Sequence, residues 1–234
     1  MLPATVLLTG ASKGIGLAAA KAFLASGHQV IALARNFAHF DLAAAGRLET
    51  ISFDLREVAA IPDLVASLPP IDILINNAGI MHALPYEDYP TDKVKEILAV
   101  NLEAPAALIR EASKAMVNRG RGRIVNNASI AGQIGHPDVW YGITKAGLIN
   151  MTKSFAKLLG PQGVVVNALA AGPVETEMLA VIPEARKKAI KEAVYTGRFA
   201  TAEEVAAAIY WLATDCPEYI NGTCLDINNG AFPR

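Results

Sequence analysis

The sequence predicts an α/β domain built on a doubly wound, largely parallel sheet, and three observations lead there. Short apolar and β-branched runs alternate with longer helical patterns along the whole chain. The runs are continuous rather than alternating, which marks strands covered on both faces. The first of them runs straight into a glycine-rich turn, Gly10-Ala11-Ser12-Lys13-Gly14-Ile15-Gly16, that opens a helix.

Taken in order, seven strands are predicted at Ala4–Thr9, Gln29–Ala34, Leu48–Phe53, Ile71–Asn76, Arg123–Ala128, Val164–Leu169 and Thr223–Ile227. Helices are predicted between them near Ile15–Ser26, Val58–Leu68, Asp92–Asn118, Val139–Leu159, Glu177–Val194 and Ala202–Thr214, so that helices cover both faces of the sheet. The second crossover, Arg35–Gly46, is short and leaves its helix open. The last helix carries its own start signal, Thr201 with Glu204 three residues on, a capping box. No internal repeat, low-complexity tract or charged linker interrupts the pattern, so residues 1–234 are read as one domain. Arg119-Gly120-Arg121-Gly122-Arg123 could form an anion site, but its place between a helix end and a strand start favours a helix C-terminal turn.

Composition narrows the function classes. At 234 residues the chain is long enough for one sizeable core without disulfide or metal support. Its net charge of −1 gives no electrostatic reason to expect nucleic acid or an anionic membrane. No stretch of eighteen uncharged apolar residues predicts a membrane span. The two cysteines, Cys216 and Cys224, are too few for a disulfide framework, and no Cys/His cluster has zinc spacing, so no metal is expected. The opening Met1-Leu2-Pro3-Ala4-Thr5-Val6-Leu7-Leu8 lacks a basic leader region and reads as the first strand, which makes a cytoplasmic location the expectation.

Glycines in the first turn let the backbone bend sharply and approach a pyrophosphate seated on the positive end of the following helix. A phosphate-binding loop of the Gly-Lys-Ser/Thr kind is a poor alternative, because Lys13 precedes the glycine. The spacing of Gly10, Gly14 and Gly16, with Asn76-Asn77-Ala78-Gly79 after the fourth strand, Asn101 within the next helix and Ser129 at the end of the fifth strand, resembles the short-chain dehydrogenase/reductase family of the classical type. Tyr141-Gly142-Ile143-Thr144-Lys145 and Gly172-Pro173-Val174-Glu175-Thr176 follow in the family's order, so the resemblance spans essentially the whole chain. Gly197-Arg198-Phe199-Ala200, Val205 and Tyr219-Ile220-Asn221-Gly222 are similar to the 3-oxoacyl-(acyl carrier protein) reductase branch.

The resemblance implies a Rossmann fold and a nicotinamide cofactor that interconverts a ketone and an alcohol. It places cofactor contacts at Gly10, Ser12, Lys13, Gly14, Ile15, Gly16, Asp54, Leu55, Asn77, Ala78, Gly79, Tyr141, Lys145, Gly172, Pro173, Val174 and Thr176. NAD-selective sites usually set an acid at the end of the second strand; here that stretch reads Ala32-Leu33-Ala34-Arg35. Arg35 with Lys13 could clamp a 2′-phosphate, so NADP(H) is expected over NAD(H).

Tyr141 and Lys145 are four residues apart and share a helix face. A cation about 4 Å from a phenol at an effective dielectric of ~20 contributes about 4 kcal/mol, or roughly three pKa units, enough to bring a tyrosine toward neutral pH. By resemblance Tyr141 is the proton donor, Lys145 orients the cofactor ribose and tunes Tyr141, Ser129 holds the substrate oxygen, and Asn101 positions a water on the path to solvent. The alternative is a catalytically silent NADP(H)-binding sensor or scaffold.

The substrate side is predicted at the carboxyl ends of the strands, with Met81, His82, His136, Trp140 and Met178 as contacts and residues 174–198 as a lid. The partner expected is a small ketone or alcohol, with a carrier-linked acyl chain as one form. The apolar faces of Asp92–Asn118 and Val139–Leu159 suggest a homo-oligomer, a tetramer or a dimer. Two departures from the family stand out: the interval of twelve residues from Ser129 to Tyr141 is one residue short, and Ala171 and Asn228-Asn229-Gly230 replace the usual residues.

Overall fold

The strands form one seven-stranded parallel sheet in the order β3-β2-β1-β4-β5-β6-β7. The computed structural model describes residues 3–38, 40, 42, 46–180 and 183–233, without the side chains of 178 and 180. The strands are β1 Thr5–Thr9, β2 Gln29–Ala34, β3 Leu48–Ser52, β4 Ile73–Asn76, β5 Gly122–Asn127, β6 Val164–Ala171 and β7 Cys224–Ile227. Period-two geometry sends successive side chains to opposite faces, and both faces of the inner strands are dry. Val6 and Leu8 join one buried cluster while Leu7 between them joins the other. Ile73 and Ile75 against Leu74 repeat the division. This is why the strands read as unbroken apolar runs.

Helices α1 Gly14–Ala25 and α8 Ala202–Ala213 cover the first face; α2 Ile61–Ala66, α4 Ala104–Arg119 and α5 Val139–Leu159 cover the second. A lone helix α3, Thr91–Leu98, leads into α4. The described part of the second crossover is a turn, with Phe40 N–H donating to the Phe37 carbonyl, and Phe37, Phe40 and Leu42 pack on the first core.

Two predicted helices are broken, and proline is the reason both times. The stretch predicted as Asp92–Asn118 runs α3, then a π-turn Ala99–Glu103, then α4. Pro105 has no N–H to give the Asn101 carbonyl four residues earlier, so the α pattern cannot pass unchanged. The stretch predicted as Glu177–Val194 divides into α6 Glu177–Ala180 and α7 Glu184–Glu192, with Pro183 in extended backbone (ψ 145°) before α7. Amphipathic periodicity continued through both prolines and concealed the breaks.

The arginine cluster serves the scaffold. Gly120 is a left-handed C-cap (φ 64°) of α4, Arg119 donates to the Ile71 carbonyl and faces Asp72, and Arg123 donates to the Leu212 and Cys216 carbonyls at the C-terminal end of α8. Among the described residues no helix is long and apolar enough to cross a membrane.

The order places β1 beside β4, so the crossovers on either side diverge between them and open a crevice at their carboxyl ends. The capping box forms as predicted: Glu204 N–H donates to Thr201 Oγ1 (3.2 Å) and Thr201 N–H to Glu204 Oε2 (2.8 Å), while Arg198 holds the same carboxylate with both terminal nitrogens. Thr201→Ala is expected to destabilise the fold by about 1 kcal/mol; urea unfolding of the two proteins measures it.

Candidate active site

The turn after β1 is shaped by contacts that admit no side chain. Gly10 has φ +66°, and a Cβ there would lie 2.8 Å from the Ala78 Cα. A Cβ on Gly16 would lie 2.1 Å from the Gly10 carbonyl oxygen. The turns after β1 and β4 are joined by side chains: Thr9 Oγ1 accepts from the Asn77 and Ala78 N–H groups at 3.0 Å each, and Asn77 Nδ2 donates to the Thr9 and Gly10 carbonyls (3.0 and 3.2 Å). Asn127, ending β5, donates to Asn77 Oδ1 at 2.9 Å. Three strand ends become one rigid rim around the positive end of α1.

Tyr141 and Lys145 stand on one face of α5, exposed by 8% and 4%. The Lys145 ammonium donates to the Asn127 main-chain carbonyl (2.8 Å) and lies 5.7 Å from the Tyr141 ring centre. Ser129 leaves β5 in extended backbone, receives the Ala131 N–H (3.1 Å), and its hydroxyl acts on the Tyr141 hydroxyl. Asn101 lies inside the π-turn with its side chain fully engaged: Oδ1 takes the Ile80 N–H (2.8 Å), and Nδ2 donates to the Ile80 carbonyl (2.9 Å) and Thr144 Oγ1 (3.1 Å). Its side chain is therefore a clamp, and the group left for a water is its carbonyl, which lacks the ordinary helical donor. Lys145 and Asn101 meet beside Gly79, where an added Cβ would be 3.4 Å from Lys145 Nζ and 3.6 Å from Asn101 Oδ1.

The electrostatics differ from the expectation that Lys145 lowers Tyr141. In the chain alone, burial raises the Tyr141 pKa, the Ser129 hydroxyl pulls it back, and the charge of Asp138 raises it further. Burial also brings Lys145 down to about 8. The physical reason is shared desolvation: both groups are out of water, and the ammonium directs its bond at a carbonyl.

Of the predicted substrate residues, Met81 and Trp140 pack against the buried group Ile97, Ala131 and Tyr141, and the His136 ring lies 5.3 Å from the Tyr141 ring. His136 Nδ1 lies 3.1 Å from the Asp138 nitrogen and 3.2 Å from the Asp138 carbonyl oxygen, and burial lowers its pKa. His82 instead faces Glu96 (3.6 Å) and the Tyr89 ring. Met178 lies on α6 with its side chain outside those described. Sequence reasoning missed Asn127, Thr144 and Asp138; Asn127 acts through its main chain, and Asp138 looks like an ordinary helix cap.

On the cofactor side Arg35 is exposed at the end of β2, and its charge reaches Asp54, whose carboxyl is held below the usual range chiefly by the Arg56 guanidinium. Leu55 is buried against the second core, and Ile15 packs on the first. Lys13 is paired with Glu177 of α6. Gly172 to Thr176 folds back on the glycine turn: Thr176 Cγ2 is 3.3 Å from where a Gly14 Cβ would be, and Val174 bridges Ala200. Ser12 sits in the same turn, half-buried.

Lys145 has a folded-state pKa below its unfolded value of 10.5, so the unfolded chain binds more protons between about 8 and 10.5 and stability rises with pH across that window. Between pH 8 and 10 the wild type should gain on the order of 2 kcal/mol relative to Lys145→Met. Denaturant melts of both proteins across that range read the difference directly.

Residues 10–231 match the family described as enoyl-(acyl carrier protein) reductase. The 3-oxoacyl-(acyl-carrier-protein) reductase of Aquifex aeolicus (strain VF5) is 35% identical, the match covering 97% of this chain and 96% of that protein. Gluconate 5-dehydrogenase of Gluconobacter oxydans (strain 621H) is 33% identical, with 97% and 94% covered. A structure assigned as an NAD(P)-dependent gluconate 5-dehydrogenase from Beutenbergia cavernae, with bound NADP, superposes with a TM-score of 0.92 at 32% identity, covering 98% of this chain and 97% of that one. With this span of matching sequence and structure, the chain belongs to the short-chain dehydrogenase/reductase family and is 3-oxoacyl-(acyl carrier protein) reductase-like.

Proposed function

We propose that this oxidoreductase uses NADP(H) to interconvert a ketone and a secondary alcohol, with Tyr141 as the acid and base. The observation that carries the reading is the convergence of Ser129, Tyr141 and Lys145, all buried, at the crevice where β1 and β4 end.

The residues present fit the cofactor. No acid stands at the end of β2, and Asp54, which the charge of Arg35 reaches, is already held by Arg56. Arg35 is exposed, and the Lys13–Glu177 pair is exposed on both sides, so Lys13 can leave it for a phosphate at little cost. The turn from Gly10 to Gly16 would hold the pyrophosphate, with Ser12 and Ile15 beside it. Asp54 and Leu55 would hold the adenine. Asn77, Ala78 and Gly79 with Lys145 would hold the nicotinamide ribose, and Gly172, Pro173, Val174 and Thr176 the carboxamide end. When bound, the nicotinamide supplies or accepts the hydride.

The protein's own part is positioning and proton transfer. Ser129 donates a hydrogen bond to the substrate oxygen, as a neutral group that stabilises charge developing there. Tyr141 gives its hydroxyl proton to that oxygen in reduction and takes it back in oxidation. Lys145 stands between Tyr141 and the Asn127 carbonyl, and the Asn101 carbonyl offers the next acceptor toward solvent. Residues 174–198 form the lid, with α6 and α7 as its two segments.

Met81 and Trp140, partly buried against Ile97 and Ala131, would give the site an apolar wall, which supports a short 3-oxoacyl thioester as the substrate class. Two α5 side chains, Ile143 and Leu158, are exposed by 46% and 64% and support a homo-oligomer in a cytoplasmic enzyme.

NADPH consumption with a panel of 3-oxoacyl thioesters, keto-acids and simple ketones tests the reading. Tyr141→Phe should lose at least a thousandfold in kcat, on the order of 4 kcal/mol, and keep its NADPH affinity. Tight NADPH binding with no turnover of any panel member, unchanged in Tyr141→Phe, would overturn it. Arg35→Ala should weaken NADPH and leave NADH unchanged; an unaltered preference removes Arg35 from cofactor selection.

A further inference from the structure

Asp138 is exposed by 2%, three residues before Tyr141, and no step of the chemistry uses it. Its Oδ1 caps α5 by accepting the Tyr141 N–H (3.0 Å). Its Oδ2 accepts the N–H groups of His82 (3.1 Å) and Ala83 (2.8 Å), with the Tyr89 hydroxyl at 3.5 Å. Three N–H groups thus converge on one carboxylate. A helix cap needs only one acceptor, which serine or asparagine would supply equally well. The second oxygen is engaged 55 residues away in sequence, on a segment that Asn101 clamps at its other end through Ile80. Ala83 is held there at φ 55°, in the left-handed region that alanine rarely adopts. Between the two clamps lies Met81, which packs beside Tyr141.

We propose that Asp138 is a positioning residue that locks residues 81–83 to the start of α5, fixing the substrate wall beside Tyr141. The role rests on the function proposed above. The charge of Asp138 does act to raise the Tyr141 pKa, behind burial. The other titratable groups facing this pair are Lys145 from α5, His136 from the loop before it, His82 and Tyr89 from the segment after β4, Glu96 from α3 and Arg186 from α7. Asp138 alone among them bonds both the helix start and the loop.

Asp138→Asn separates these duties. Asparagine keeps the cap through its oxygen but presents an NH₂ where two N–H groups need an acceptor, and it removes the charge. In the full-length protein the ketone KM should rise about tenfold with NADPH affinity unchanged within twofold. In alcohol oxidation, where ionised Tyr141 is required, the rising limb of kcat/KM should move to lower pH, the direction that removal of a negative charge beside a buried phenol dictates. Wild-type KM and an unmoved limb would overturn the proposal. Asp138→Glu keeps the charge but displaces the oxygens, so it should raise KM and leave the limb in place; it carries the test if Asp138→Asn does not fold, and a moved limb or an unchanged KM then counts against Asp138. A wild type that turns over no ketone sinks the functional reading and Asp138's role with it, whereas an active wild type with unaltered variants sinks only the latter.

Discussion

Lys145 carries an ammonium at 4% exposure, and one carbonyl, from Asn127, receives it. Burying a cation is costly unless its surroundings answer it, and the carboxyl end of the sheet is organised to do so. Asn127 can present its carbonyl only because its side chain is tied to Asn77, which is tied to the Thr9 and Gly10 carbonyls. Asn126 and Asn76 make the same cross-link one residue deeper, anchored on Thr152 of α5. The rim that cradles the glycine turn is therefore also the rim that holds the lysine, so the cofactor and proton-transfer halves of the site cannot shift independently.

The same logic explains the strained features. The π-turn at Ala99–Glu103 turns Asn101 inward so that its amide clamps Ile80, and Asp138 clamps the next turn of the same segment. Two side chains from different helices hold one short loop at both ends. A loop built this way gains precision from its anchors, since the segment itself has an alanine in an unfavourable conformation. Strain at Ala83 survives because the neighbouring groups over-determine its position.

How much of this was legible in the sequence follows from which atoms do the work. The sheet could be read because two dry faces leave an unbroken apolar run, and the glycine turn because Gly10 and Gly16 sit where no Cβ fits. Ser129, Tyr141 and Lys145 were marked by the family resemblance, since helical spacing alone makes Tyr141 and Lys145 an ordinary pair. Asn127 could not, since a main-chain carbonyl leaves no mark in a side-chain code. Asp138 could be read as a cap at most, because its other partners lie far away along the chain. The breaks at Pro105 and Pro183 were visible as residues, but the apolar period on either side outweighed them.

The two ends of the crevice operate in different electrostatic regimes. Around Tyr141 the charges are buried, so each acts strongly on its neighbours and little on bulk solvent. At the opposite end Arg35, Lys13 and Glu177 stand in water, where the 8–10 Å screening length of physiological salt weakens any pair. On the proposed reading a 2′-phosphate would be held there by cations that dissolved ions can compete with, and Lys13 would exchange a carboxylate partner to take part. Proton transfer is insulated from that competition. On that reading salt acts on how often the cofactor is held, while burial, the Ser129 hydroxyl and the charge of Asp138 act on the acidity of Tyr141.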